Sequence, residues 1–141
     1  MKNKNLTFFG SLLFFIVAAG LTIAGSSEER AGVKAAQEWL ALVDTGKYAE
    51  SWKEAAQAFK GAVSSDQWAA QAKGVRDPLG KVLNRSLKTK NYTKTLPGAP
   101  DGEYVVIRFD TSFENKKNAV ETVTPMLDKD GRWRVSGYYI K

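Results

Sequence analysis

Arginine, tyrosine and aspartate are the side chains left to do chemistry in this sequence, because it has no histidine and no cysteine. Those absences remove the imidazole base, the thiolate nucleophile, the Ser-His-Asp triad and every metal site built on His or Cys. No disulfide framework is available either. Three pairings stand out. Arg76 and Asp77 are adjacent in Arg76-Asp77-Pro78-Leu79-Gly80, Tyr104 stands four residues before Arg108, and Arg134 four before Tyr138. Residues an even number apart share one face of a strand, so each Tyr and Arg pair falls on a single side. If those sides coincide, they line a polar and aromatic pocket in which arginine holds a carboxylate or phosphate. The plainer reading makes Asp77 a helix cap, Gly80 a packing point and the two Tyr and Arg pairs solvent-facing cross-strand neighbours. No phosphate-cradling glycine loop, nucleophile elbow or carboxylate-rich metal loop is present. Neither a cofactor nor a metal is therefore expected.

The chain of 141 residues carries a net charge of +6. Much of it falls between Lys73 and Lys94, where Lys73, Arg76, Lys81, Arg85, Lys88, Lys90 and Lys94 oppose only Asp77. Such a run suits an anionic ligand, lipid headgroups or an acidic partner; alternatively, Lys88, Lys90 and Lys94 guard an edge strand against pairing with another molecule. Nucleic acid is not an expected partner, since neither a recognition helix nor an aromatic and basic binding motif appears.

Lys2 and Lys4 precede an uncharged run from Leu6 to Ala24 that is rich in Phe and Leu. This pattern reads as an export leader, with a cut after Ala24 or Ala19, and competes with an uncleaved membrane anchor. The expected location is the periplasm or the medium, or the outer side of a membrane if the leader is kept. Removing residues 1–24 takes two lysines and no acid, which leaves 25–141 as one domain of net charge +4.

That domain divides by hydrophobic period. From Glu28 to Asp44, Val33, Ala36, Trp39, Leu40 and Val43 fall on one helical stripe, stopped by Gly46. A second helix is expected from Tyr48 to Lys60, with Tyr48, Trp52, Ala55, Ala56 and Phe59 on its buried side. Ser64 and Gln67 form a capping box ahead of Trp68, Ala69, Ala72 and Val75. A short turn from Pro78 to Leu83 follows, with Asp77 as its cap. Trp39, Trp52 and Trp68, one per helix, read as core residues rather than as a ligand wall.

Beyond Asn84 the period becomes that of strands: 85–96, then a turn-rich loop 96–102, then 103–114 with Val105, Ile107, Phe109, Thr111 and Phe113 on one side. Residues 115–118 form a turn and 119–127 return, with Pro125 at a bulge or an unpaired edge. Asp128 to Gly131 turn again, and Trp133, Val135, Gly137 and Tyr139 alternate to the end. Three helices followed by four hairpin-linked strands predict an α+β fold, an antiparallel sheet packed on helices.

Through this element order, Ala35-Ala36 leading into Trp39-Leu40, and the terminal Gly131-Arg132-Trp133-Arg134-Val135-Ser136-Gly137-Tyr138-Tyr139, the chain resembles the nuclear-transport-factor-two-like, or cystatin-like, cone fold. More narrowly, it resembles the bacterial secreted family known as domain of unknown function 4019. Glu38-Trp39-Leu40, Tyr48-Ala49-Glu50-Ser51-Trp52, Arg76-Asp77-Pro78-Leu79-Gly80 and Leu96-Pro97-Gly98 carry that likeness, which covers Ala31 to Lys141. It implies a curved sheet wrapped on helices, a pocket between them, and, because cone folds often pair through the sheet, a homodimer. The expected function is non-catalytic binding of a small molecule or an envelope protein. The alternative is a small isomerase or hydratase using Asp110 or Asp77 with Tyr104, which requires a carboxylate whose pKa burial or a like charge has raised.

Overall fold

The computed structural model describes residues 25–141, and the expected leader lies outside them. Helices α1 (Ser27–Asp44), α2 (Tyr48–Glu54), α3 (Gln57–Ala62) and α4 (Ser65–Leu79) precede strands β1 (Val82–Thr93), β2 (Tyr104–Phe113), β3 (Lys116–Leu127) and β4 (Trp133–Ile140). The α+β class is as expected, but the described residues hold four helices rather than three. The segment expected as one helix over 48–60 breaks at Ala55 and Ala56, both extended, with ψ of 163° and 154°. Alanine is the best helix former, so local propensity does not cause the break. Both alanines are fully buried, and the Ala56 N–H donates to the Val135 carbonyl at 2.8 Å. A long-range bond to the last strand thus overrides the local preference.

Two capping boxes start the long helices. The Ser26 hydroxyl accepts the Glu29 N–H ahead of α1, a box the sequence reading did not name, and Ser64 with Gln67 does the same for α4, as expected. The expected separate turn after Asp77 does not form. Instead α4 runs through Pro78 and ends at Gly80, whose φ of +75° is the left-handed conformation that glycine adopts without strain.

The four strands form one antiparallel sheet in sequence order, so β1 and β4 are its edges. Along β2 the buried side carries Val105, Ile107, Phe109, Thr111 and Phe113, as alternation predicts. Across the ladder, Val123 opposes Ile107 and Glu121 opposes Phe109. Pro125 marks the bulge expected of it, a register shift between Thr124 and Pro125 opposite β4. The shift has a large effect on β4. Val135 and Tyr138, three residues apart, both pack on the core, whereas strict alternation would send them to opposite sides.

The core lies between this face and the helices. Trp39 of α1 and Trp68 of α4 are buried with ring centroids 5.5 Å apart, and the ring of Tyr138 stands edge-on to Trp39 at 5.3 Å. Both indoles converge on the fully buried Ser51: Trp39 Nε1 donates to its carbonyl at 2.8 Å and Trp68 Nε1 to its hydroxyl at 2.9 Å. Buried indole N–H groups need such partners. Among the described residues, no helix is long and apolar enough to cross a membrane.

Helix α1 approaches the sheet closely at Gly32, where an added Cβ would stand 2.7 Å from the Cβ of Val105. Gly32→Ala should therefore lower stability by about 1–3 kcal/mol through overpacking, despite alanine's better helix propensity. Urea denaturation showing a gain instead would mean that α1 shifts freely on β2.

Candidate functional site

A carboxylate sits where sheet packing demands an apolar side chain. Glu121 lies on the core face of β3 and is fully buried. Burying it is tolerable only with full hydrogen bonding. Three donors provide that: Arg85 Nε at 2.7 Å, the Thr111 hydroxyl at 2.6 Å, and the Tyr138 hydroxyl on the second oxygen. Burial first, then the charge and hydrogen bond of Glu121, push the Tyr138 hydroxyl well above its ordinary value of 10.0.

Arg85 continues the network to Asp44, the last residue of α1, with bonds of 2.7 and 3.0 Å. A helix C-terminus is an unfavourable place for an acid, and α1 has no basic residue in its last turn. The opposing charge comes from other elements: Arg85 of β1 and Arg76 of α4, whose Nη2 meets Asp44 at 2.8 Å. Burial pushes the Asp44 carboxyl up, but hydrogen bonds and charge from these two arginines outweigh it and hold the group below its ordinary 3.8.

The two arginines differ in one respect. All three nitrogens of Arg85 have acceptors. Arg76, 6% exposed, bonds only through Nη2; its Nε and Nη1 are buried without an acceptor. A guanidinium has five N–H bonds, and these two nitrogens carry three of them. Each unmet buried donor costs about 1–3 kcal/mol. The ring of Phe113, 5.1 Å from the guanidinium carbon, offsets part of that.

Arg76 also lines two clefts. One, of about 230 Å³, runs between α4 and β4 and is walled by Trp68, Val75, Tyr138, Tyr139 and Ile140. The other, of about 280 Å³, lies at the ends of α1 and α4 beside Asp44 and Tyr48. A larger cleft of about 560 Å³ sits between α3 and the β3–β4 turn. Of the two arginines that line it, Arg134 is already taken by Asp128 at 3.1 Å and Asp130 at 2.7 Å, and Glu54, Asp128 and Asp130 set acids against any anion there. The α4–β4 cleft is therefore the stronger candidate, despite its smaller volume. Among the described residues, no group of three or more acidic, His or Cys side chains could hold a metal ion.

Of the residues singled out by sequence, the structure brings Arg76 and Tyr138 to one cleft and disperses the others. Arg76 and Asp77 do not act as a pair, because consecutive helical residues point apart; Asp77 meets Lys73 at 2.9 Å instead. Arg134 and Tyr138 do not share a pocket, since the bulge opposite Pro125 turns Tyr138 into the core. Tyr104 is buried, with its hydroxyl on the Pro100 carbonyl at 2.6 Å, while Arg108 is exposed. Asp110 faces Lys88 at 3.5 Å on an exposed surface. The basic run is not one patch: Arg76 and Arg85 leave it for the interior, and Lys88 and Lys90 lie on the edge strand β1. Sequence reasoning missed Glu121 and Asp44, and saw Arg85 only as one member of the basic run. The one signal for Glu121 was an acid in the otherwise apolar alternation Ala119, Val123, Pro125.

Removing the Glu121 charge leaves Arg85 half paired in the interior. Glu121→Gln should cost about 3–5 kcal/mol in urea denaturation, whereas Asp110→Asn should stay within about 0.5 kcal/mol. The lowered carboxyl of Asp44 contributes stability that is complete above its ordinary 3.8 and is lost as pH falls through the still lower folded value. Asp44→Asn should accordingly flatten the fall of Tm below about pH 4. An unchanged acid limb would remove Asp44 as its source.

Among curated proteins, none is detectably similar to this chain. A family model described as protein of unknown function (DUF4019) matches residues 35–138, a span that includes Asp44, Arg76, Arg85, Thr111, Glu121 and Tyr138. The chain belongs to that family.

Proposed function

We propose that this is an exported, non-catalytic binding protein that takes a small molecule in the cleft between α4 and β4. One observation carries the reading: a cleft of about 230 Å³ with aromatic and aliphatic walls and a single buried cation, Arg76, among its lining residues. Ligand sites combine mostly apolar walls with a few placed polar groups, and the volume is small enough to restrict the ligand to a compact molecule. The sheet serves as one wall, the arrangement that the cone fold implies. Export draws on the apolar run from Leu6 to Ala24 behind Lys2 and Lys4.

A catalytic reading draws on Glu121 and Tyr138, a buried carboxylate and hydroxyl beside the cleft. General base work needs a carboxylate oxygen within reach of the substrate proton. Both oxygens of Glu121 are already occupied by donors, and only Tyr138 of the pair lines the cleft. Binding without chemistry fits this geometry better.

Native mass spectrometry of the protein purified from its own cells should show a noncovalent small-molecule adduct. Val75→Trp, which narrows the cleft mouth, should be recovered without it. An unliganded mass for the natural protein would overturn the reading, and recovery of the protein solely from the cytoplasmic fraction would overturn export.

A further inference from the structure

Arg76 narrows the chemistry of the ligand beyond size and shape. We propose that the α4–β4 cleft recognises a small monocarboxylate with a flat apolar body, its carboxylate held by the Nε and Nη1 donors of Arg76; this rests on the cleft being a binding site. The protein's own groups complete Arg85 on all three nitrogens but leave Arg76 with one carboxylate contact, through Nη2. Its remaining two nitrogens are buried and have no acceptor. Arg76 is the one charged residue lining the cleft, so no acid there repels an anion.

The side chain is also held in place before any ligand arrives, by Asp44 on one nitrogen and Phe113 against its face. Such preorganisation reduces the entropy lost on binding.

Charge and volume choose among anions. Arg76 and Arg85 already balance Asp44 and Glu121. An added anion takes the cluster to net negative, which a single charge does with less penalty than the two of a phosphate monoester. The cleft of about 230 Å³ equals roughly eight water volumes at ~30 Å³ each. Trp68, Tyr138 and Tyr139 give it flat aromatic walls suited to a planar body. Val75 and Tyr139 line the same cleft as Arg76 and are 51% and 49% exposed. In this proposal their rotation lets the carboxylate reach the two buried nitrogens.

Calorimetric titration of the full chain with sodium phenylacetate and with phenylacetamide separates the two levels of the inference. The acid should bind at least tenfold tighter than its neutral amide, and Arg76→Met should abolish that preference. If Arg76→Met does not fold, Val75→Trp, which leaves the guanidinium network untouched, should weaken both probes together. Equal affinity for acid and amide would overturn the carboxylate assignment and leave the cleft as a binding site. An acid preference that survives in folded Arg76→Met, or an acid affinity that Val75→Trp leaves undiminished, would overturn the placement at Arg76. Absence of heat from either probe would overturn the binding reading and the assignment with it.

Discussion

The constraint on which the structure depends is one buried negative charge. Glu121 stands at the centre of a face that otherwise carries Ile107, Phe109 and Val123. A carboxylate there without partners would cost more than a domain's whole margin of stability, which is about 5–15 kcal/mol. Its three donors come from three different strands: Arg85 from β1, Thr111 from β2 and Tyr138 from β4. A register slip in any pairing would strand it. The charge therefore helps to specify a single arrangement of the sheet, a role documented for some buried polar groups elsewhere.

Two networks meet at Tyr138. Its ring belongs to the aromatic group with Trp39 and Trp68, and its hydroxyl to the ionic group with Glu121. Through Arg85 and Asp44 the ionic group continues to the end of α1 and then to Arg76 on α4. The apolar and polar halves of the interior are thus joined by one side chain, next to the cleft that Arg76 lines. Arg76 is the point where this otherwise complete network has donors to spare, and with Tyr138 it lines the cleft between α4 and β4.

Much of the fold was legible because its signals are local. The capping box at Ser64, the stripe of α1, the alternation of β2 and the bulge at Pro125 each follow from short-range chemistry. The break at Ala55 and Ala56 was not legible, since a hydrogen bond to Val135 dictates it from nearly eighty residues away. The site was only partly legible for the same reason. Arg76 and Tyr138 could be named as chemically capable, but their partners Asp44, Arg85 and Glu121 come from distant segments. The false pairing of Arg134 with Tyr138 shows that identifying a bulge from Pro125 is easier than following its effect on the neighbouring strand.

The bond from Ala56 to Val135, together with the reliance of Trp39 and Glu121 on Tyr138, also bears on how the domain folds. The helices carry an aromatic stripe that packs against β4, the described element farthest from α1 along the chain. Until β4 is in place, the helical half has no complete surface to bury against. Contacts between such distant segments form late and slow the folding of a domain. Holding factors that cover exposed apolar segments have the longest access to such a chain.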